Sequence, residues 1–273
     1  MNKINITKII GIILLTSAST FVSADERRFT YVYEPETLPE GALEFENWVT
    51  LRSQRTKNVG KDNFNRWDLR QELEYGVTDR YTLALYLNER SDSYRIPSSG
   101  TDYSKFSWKG VSIENRYNVL NPATYPVGLT LYLEGRYSGE EAEIEEKIIL
   151  GQRHGLWKWA LNLEHETEWE HNLHDIEAKG SVSFGFSRDL GKRWSLGIEL
   201  LSETIFPEYE KATSSALFLG PAISYHQEKW WATLTVLPQI YGWNNDGNPD
   251  GNRHLDLVEH ERINVRLIIG INF

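Results

Sequence analysis

The chain has 273 residues, with 29 basic and 39 acidic side chains, a formal charge of −10 and no cysteine. Disulfides, thiolate metal sites and thiol nucleophiles are therefore excluded. Nucleic acid is excluded as a partner on charge grounds, because neutralising phosphates needs clustered Lys and Arg. No apolar run approaches the roughly 18 residues of a spanning helix, which excludes a helical membrane protein.

Residues 1–24 read as a cleavable signal peptide. Lys3 and Lys8 form a positive start, Ile9 to Leu15 an apolar stretch, and Val22, Ser23 and Ala24 a small-residue cleavage site. Cleavage there starts the mature chain at Asp25, and loss of the two lysines takes the formal charge from −10 to −12. Residues 25–40 follow, with Pro35 and Pro39 to stop them from joining a ladder throughout.

From residue 41 to 273 apolar and polar residues alternate. The pattern predicts twelve strands, at roughly 42–52, 65–76, 80–90, 108–119, 127–137, 143–153, 157–169, 177–188, 194–204, 214–226, 230–241 and 261–273. Each is about the ten residues a tilted strand needs to cross a bilayer. Connections alternate in length: Gly76 to Asp79, Gly155-Leu156 and Asp189 to Arg193 are short, whereas Ser91 to Ser107 and Gly242 to His260 are long. Short turns on one side and long loops on the other suit a barrel with both termini in the periplasm. Trp157, Trp159, Trp194, Trp230 and Trp231 fall at the predicted periplasmic rim, and Trp169 and Trp243 near outer ends, as in the aromatic bands of membrane barrels.

The final strand is the clearest. Ile263, Val265, Leu267, Ile269, Ile271 and Phe273 share one face, and Asn264, Arg266, Ile268, Gly270 and Asn272 the other. The expected fold is thus all-β: a single antiparallel transmembrane β-barrel of about 12 strands behind a signal peptide. Residues 25–40 are then either a periplasmic lead-in, the favoured placement, or a small plug in the lumen.

Charges of both signs fall on the faces opposite the apolar ones, because bare charge is costly against lipid at mid-depth. The candidate lumen-lining residues are Glu44, Glu46, Asp68, Arg70, Glu72, Glu114, Arg116, Glu134, Arg136, Glu164, Glu166 and Arg266. They either line a water-filled passage or pair across strands and fill a narrow interior. In the last long loop Asp246, Asn248, Asp250 and Gly251 match the first half of a calcium loop, but Leu257 stands where the bidentate Glu belongs, so turn chemistry is preferred to a metal site. A hydrolase would need a serine beside a histidine at the outer rim. His165 on the seventh strand and His171 in the loop after it are the candidates, with no serine placed beside them, so no catalytic residue is assigned.

The signal peptide, the strand count and the terminal Phe273 resemble proteobacterial outer-membrane barrels over residues 41–273. The opening Tyr31 to Trp48, with Leu219 to Tyr225 and Val258 to Arg262, resembles uncharacterised exported barrels of unknown function. Barrels of this appearance are similar to small-solute channels. The resemblance implies residence in outer-membrane lipid and delivery by the barrel-assembly machinery, which reads the C-terminal strand. The expected function is a narrow passive channel for small polar or cationic solutes, without cofactors. The alternative is a closed structural or adhesion barrel acting through its external loops.

Overall fold

The computed structural model describes residues 27–56, 60–245 and 254–273. The signal peptide and Asp246, Asn248 and Asp250 of the calcium-like loop lie outside the described residues. Twelve strands close into one antiparallel barrel: β1 (Leu43–Ser53), β2 (Asp62–Thr78), β3 (Tyr81–Ile96), β4 (Thr101–Leu120), β5 (Gly128–Tyr137), β6 (Ala142–His154), β7 (Trp157–Glu170), β8 (Asp175–Leu190), β9 (Trp194–Pro207), β10 (Ser214–His226), β11 (Trp230–Asn244) and β12 (Ile263–Asn272). Each strand pairs with its neighbours in sequence, and β1 pairs with β12 from Glu44 opposite Asn272 to Ser53 opposite Ile263. Closure leaves no sheet edge, so backbone groups at membrane depth are satisfied within the ladder.

Alternation decides which face each residue takes. On β4, Val111 and Ile113 point outward and are about half exposed, while Ser112, Glu114 and Arg116 point inward and are buried. Trp157, Trp194 and Trp230 face outward at the short-turn end. Trp231 does not join that band. It occupies the inward phase of β11, is fully buried, and donates from Nε1 to Glu44 Oε1 at 2.6 Å.

The stretch expected as a loop at Ser91 to Ser107 is mostly strand. β3 and β4 continue as a hairpin around residues 97–100, with Tyr94 opposite Tyr103 and Arg95 opposite Asp102. β4 before Val111 pairs only with β3, since β5 reaches no further than Tyr137 opposite Val111. Such an extension stands clear of the apolar band, so neither face needs alternation and the sequence signal fades. The Tyr94 and Tyr103 rings stack at 4.7 Å.

The favoured lead-in placement of residues 25–40 does not match the described part of that segment. Residues 27–38 lie inside the barrel at the short-turn end, and Phe29, Val32, Tyr33 and Leu38 are buried. Phe29 and Val32 cluster with Ala160 and Ala222; Tyr33 clusters with Trp48, Tyr132, Ile149, Trp231 and Ile268. Burying each apolar side chain is worth about 1.5–3 kcal/mol, which a periplasmic strand of chain would forgo. The wall has made room for it: a Cβ at Gly185 would lie 2.8 Å from three ring atoms of Phe29.

Candidate functional site

The lumen divides into a filled half at the short-turn end and an open half at the loop end. In the filled half, side chains of the wall hold the backbone of residues 27–38. Both oxygens of the Glu199 carboxylate are used: Oε1 accepts from Thr30 N at 2.6 Å, Oε2 from Tyr31 N at 2.8 Å. Asn162 grips Tyr33 on both sides, accepting from its N–H at 2.7 Å and donating to its carbonyl at 2.9 Å. Asn118 donates to Pro35 O at 2.7 Å, Thr82 Oγ1 accepts from Leu38 N at 2.9 Å, and Thr233 Oγ1 donates to Arg27 O at 2.7 Å. Inward polar residues without a charged partner thus serve as backbone receptors. The segment also brings its own charges: Arg27 lies 3.4 Å from Glu46, and its guanidinium stacks 4.2 Å from the Tyr33 ring and 4.5 Å from Trp48.

Five of the candidate residues belong to this half and meet no open space. Glu44, Glu46, Glu72, Glu114 and Arg116 are all at most 3 % exposed. Glu46 accepts from Trp48 Nε1 at 2.6 Å, Glu72 from the Tyr86 hydroxyl at 2.6 Å, and Arg116 Nε lies 2.7 Å from Glu114 and is also paired with Glu74. Buried charge is tolerated only when paired and hydrogen-bonded in this way.

The open half holds a cavity of about 510 Å³ lined by strands and by residues 259–261. Asp68, Arg70, Glu134, Arg136, Glu166 and Arg266 line it, although Glu134 itself is nearly buried. Glu164 lines a smaller pocket of about 100 Å³, together with Tyr31 and Tyr33 of the inner segment and with Arg52, Arg70, Glu203 and Arg266, which also line the larger cavity. Ion pairs bridge strands here: Asp68 with Arg90 at 2.7 Å and Arg52 at 3.1 Å, Arg136 with Glu143 at 2.5 Å and, across β6, with Glu168 at 2.6 Å, Lys179 with Glu166 at 2.8 Å, and Lys147 with Glu164 at 3.0 Å. Arg70 reaches Glu134, two strands beyond its neighbour β3, at 2.6 Å, and its guanidinium lies 4.0 Å from the centre of the Tyr86 ring.

The signs are not evenly mixed. Arginines at positions 52, 66, 70, 90 and 266 come from β12, β1, β2 and β3; glutamates at 143, 164, 166, 168, 177 and 203 come from β6 to β9. A guanidinium-rich wall therefore faces a carboxylate-rich one. Field lines between them are focused by the low-dielectric barrel rather than screened by bulk water.

Three carboxylate triads have oxygens within 4.8 Å of one another: Glu46, Glu72 and Glu74; Glu143, Glu166 and Glu168; and Glu145, Glu164 and Glu166. Each already carries basic side chains, Arg27 and Arg116 on the first, Arg136 and Lys179 on the second, Lys147 and Lys179 on the third. A cation would have to displace them. The histidines considered for hydrolysis lie apart from the lumen: His165 faces outward 3.6 Å from Glu146, and His171 sits in an exposed turn 2.8 Å from Asp175.

At the loop end, residues 254–262 fold over the mouth. Gln239 accepts from Asp256 N at 2.7 Å and donates to Asp256 O at 2.8 Å, and Arg55 pairs with Glu261 at 2.9 Å. His260 is buried there, 3.8 Å from Glu203, and burial pushes its imidazole down to about 4. At neutral pH it carries no charge.

The chain belongs to DUF6662, a family of unknown function whose profile matches residues 21–148 and 152–273. No curated protein matches it in sequence. Among solved structures it is similar to the COG4313 outer membrane channel from Pseudomonas putida F1, with 14 % identity and a TM-score of 0.58 over 87 % of this chain and 97 % of that one. It is also similar to the beta domain of the Bordetella autotransporter BrkA, at 10 % identity and a TM-score of 0.56 over 86 % and 100 %. The NanC porin follows at 7 % identity and 0.50 over 85 % and 99 %. Identities this low speak for the shared outer-membrane barrel fold alone.

Proposed function

We propose that this member of DUF6662 resides in a bacterial outer membrane and passes small polar solutes inward from its loop side, with residues 27–38 as a removable stopper. The observation that carries the reading is how that segment is held. Its described backbone contacts with the strand walls run to side chains such as Glu199, Asn162, Asn118 and Thr82, not to a strand ladder. Side-chain hydrogen bonds of about 0.5–1.5 kcal/mol net can be exchanged for water singly, whereas a ladder would make the segment part of the wall. Above it, the charged cavity of about 510 Å³ offers hydrated walls to an arriving solute. Neighbours with channel and porin names are consistent with this use of the fold and do not name a solute. Insertion would use β12 and Phe273, which is 76 % exposed, as the signal to the barrel-assembly machinery.

Planar-bilayer conductance of the full chain and of a variant lacking residues 27–38 tests the reading. The full chain is expected to be closed most of the time and the variant to conduct steadily, with mean conductance raised at least about tenfold, or ~1.4 kcal/mol in the closed–open balance. A variant that folds, by circular dichroism, yet stays silent would favour the closed barrel acting through its loops.

A further inference from the structure

Most of the charges around the lumen are spent on one another, and two that face the small pocket are not. Arg266 on β12 donates to Thr50 Oγ1 at 2.8 Å and to Thr30 O at 3.1 Å, and has no carboxylate partner among the described residues. Among the described residues Glu203 on β9 has one ion-pair neighbour within 4 Å, the Nδ1 of His260 at 3.8 Å. Burial holds that imidazole neutral at pH 7, and the cations that act on Glu203 from beyond 4 Å, Lys179 and Arg52, are paired with Glu166 and Asp68. Both residues line the same pocket of about 100 Å³ at the bottom of the open half.

The strands β9 and β12 are separated by β10 and β11. The ladder row of Arg266 runs through Thr235 and Ala222 to Gly197, six residues along β9 from Glu203, so the two side chains reach the pocket from well-separated points of the wall. A guanidinium and a carboxylate that line one pocket from such positions present opposite charges to whatever occupies it.

Among the described residues, four polar atoms of the lining make no hydrogen bond, Asn264 Oδ1 and Arg52 Nε (the latter 3.1 Å from Asp68) among them. The Tyr31 hydroxyl and Arg70 Nε are buried and make no hydrogen bond, and both residues line this pocket. A buried donor left unmade costs about 1–3 kcal/mol, which a bound acceptor would recover. The donors, Arg266, Arg70 and Tyr31, suit a carboxylate; Glu203 suits an ammonium. The volume sets the scale. A cavity of about 150 Å³ holds benzene and a water takes about 30 Å³, so this pocket takes a head group of about five heavy atoms.

We infer that the pocket bounded by Arg266, Arg70, Tyr31 and Glu203 binds the ammonium–carboxylate head of an α-amino acid or similar zwitterion. The side chain of the solute would project into the larger cavity above. Neither charge alone fits: an anion would face the surrounding glutamates at 145, 164 and 203, and a cation the arginines at 52, 70 and 266. A dipolar solute aligns with the field between the two walls and brings no net charge into it. The inference rests on the uptake reading above for the route by which the solute arrives.

Titration calorimetry on the full chain in detergent micelles tests it, with glycine, alanine, acetate, methylammonium and glucose as probes. Glycine and alanine are expected to bind at least about tenfold more tightly than the other three, and Arg266→Gln and Glu203→Gln each to reduce glycine affinity by about tenfold or more. Glycine binding no tighter than acetate or methylammonium overturns the site, as does unchanged affinity in both variants. Should Arg266→Gln fail to fold, Tyr31→Phe removes only an unpartnered hydroxyl, and undiminished glycine binding in it and in Glu203→Gln overturns the site equally. The two readings fail separately. Tight glycine binding with a silent stopper-free barrel overturns uptake and keeps the site; conduction with no zwitterion preference keeps uptake and overturns the site.

Discussion

The two halves of the lumen have the same kind of lining and opposite accessibility. Glu72, Glu114 and Arg116 at the filled end and Asp68 and Arg136 at the open end each have an apolar residue beside them on the strand. The first three are almost completely buried and the others border a cavity. Inward charge therefore reports which face avoids lipid, and not whether water reaches it. What separates the halves is whether another part of the chain lies against the wall. At the filled end the wall supplies small or uncharged inward residues, Gly185, Ala160, Ala222, Asn162 and Thr233, that admit and bind a backbone.

Gly185 is the place to break this contrast most strongly. Phe29 is fully buried over it, and a Cβ there would meet rigid ring atoms at 2.8 Å with no space to retreat into. Overpacking of this kind costs about 1–3 kcal/mol. Gly185→Val is expected to shift the segment toward its released state by about 5–150-fold, the population equivalent of that energy. Trypsin reads the shift. Arg27 and Arg28 are 4 % and 8 % exposed, so cleavage after them should follow the released population. An unchanged cleavage rate in folded Gly185→Val would mean that Phe29 does not seat the segment.

Much of this was legible in the sequence, for one physical reason. Lipid enforces a period of two on every strand, so Ile263 to Phe273 gives its faces away, and all twelve strands lie close to the segments the alternation marks. The same argument assigned the charged residues to the face turned away from lipid. Where lipid stops, legibility stops: the hairpin extension at Tyr94 and Tyr103 carried no alternation and read as loop. The filled half escaped because its signal lies in two distant places. Trp48, Ile149 and Ile268 are apolar residues in inward phase, which a water-filled lumen would not favour, and Phe29, Val32 and Tyr33 are apolar residues outside any strand. Pro35 and Pro39 spoke against a strand and were silent about burial. Taken together, the two sets would have matched an apolar inner wall to an apolar segment.

Acid sharpens the comparison from the open end. The titrating group is His260, in the segment folded over the mouth. Its folded imidazole is held down at about 4 from 6.5, chiefly by burial. As pH falls through about 6.5 the released segment takes a proton and the folded one does not, so the folded form loses stability until about pH 4 and levels off below. Two and a half units at 1.36 kcal/mol each give an upper bound of about 3 kcal/mol. Asp256 works the other way, since burial raises its carboxyl and the folded segment protonates it more readily. A net loss of about 1–2 kcal/mol between pH 7 and pH 5 is expected. Hydrogen exchange at the Asp256 amide, corrected for intrinsic rate, should show reduced protection at pH 5. Unchanged protection there would remove His260 as a pH-sensitive element of the mouth.

The smallest effect lies farthest from the filled half. Arg95 pairs with Asp102 at 3.3 Å at the tip of the β3–β4 hairpin, and both side chains are at least half exposed. It is an arginine–carboxylate contact on paired strands, as Arg90–Asp68 is within the open lumen. Water makes the difference. An exposed pair gains little over its hydrated parts and is screened by salt, contributing about 0–1 kcal/mol. Arg95→Ala should therefore leave conductance, tryptic release and thermal unfolding within about 0.5 kcal/mol of the parent. A larger change would mean that the hairpin tip is coupled to the lumen, and the boundary between the halves would no longer separate what the segment controls from what it does not.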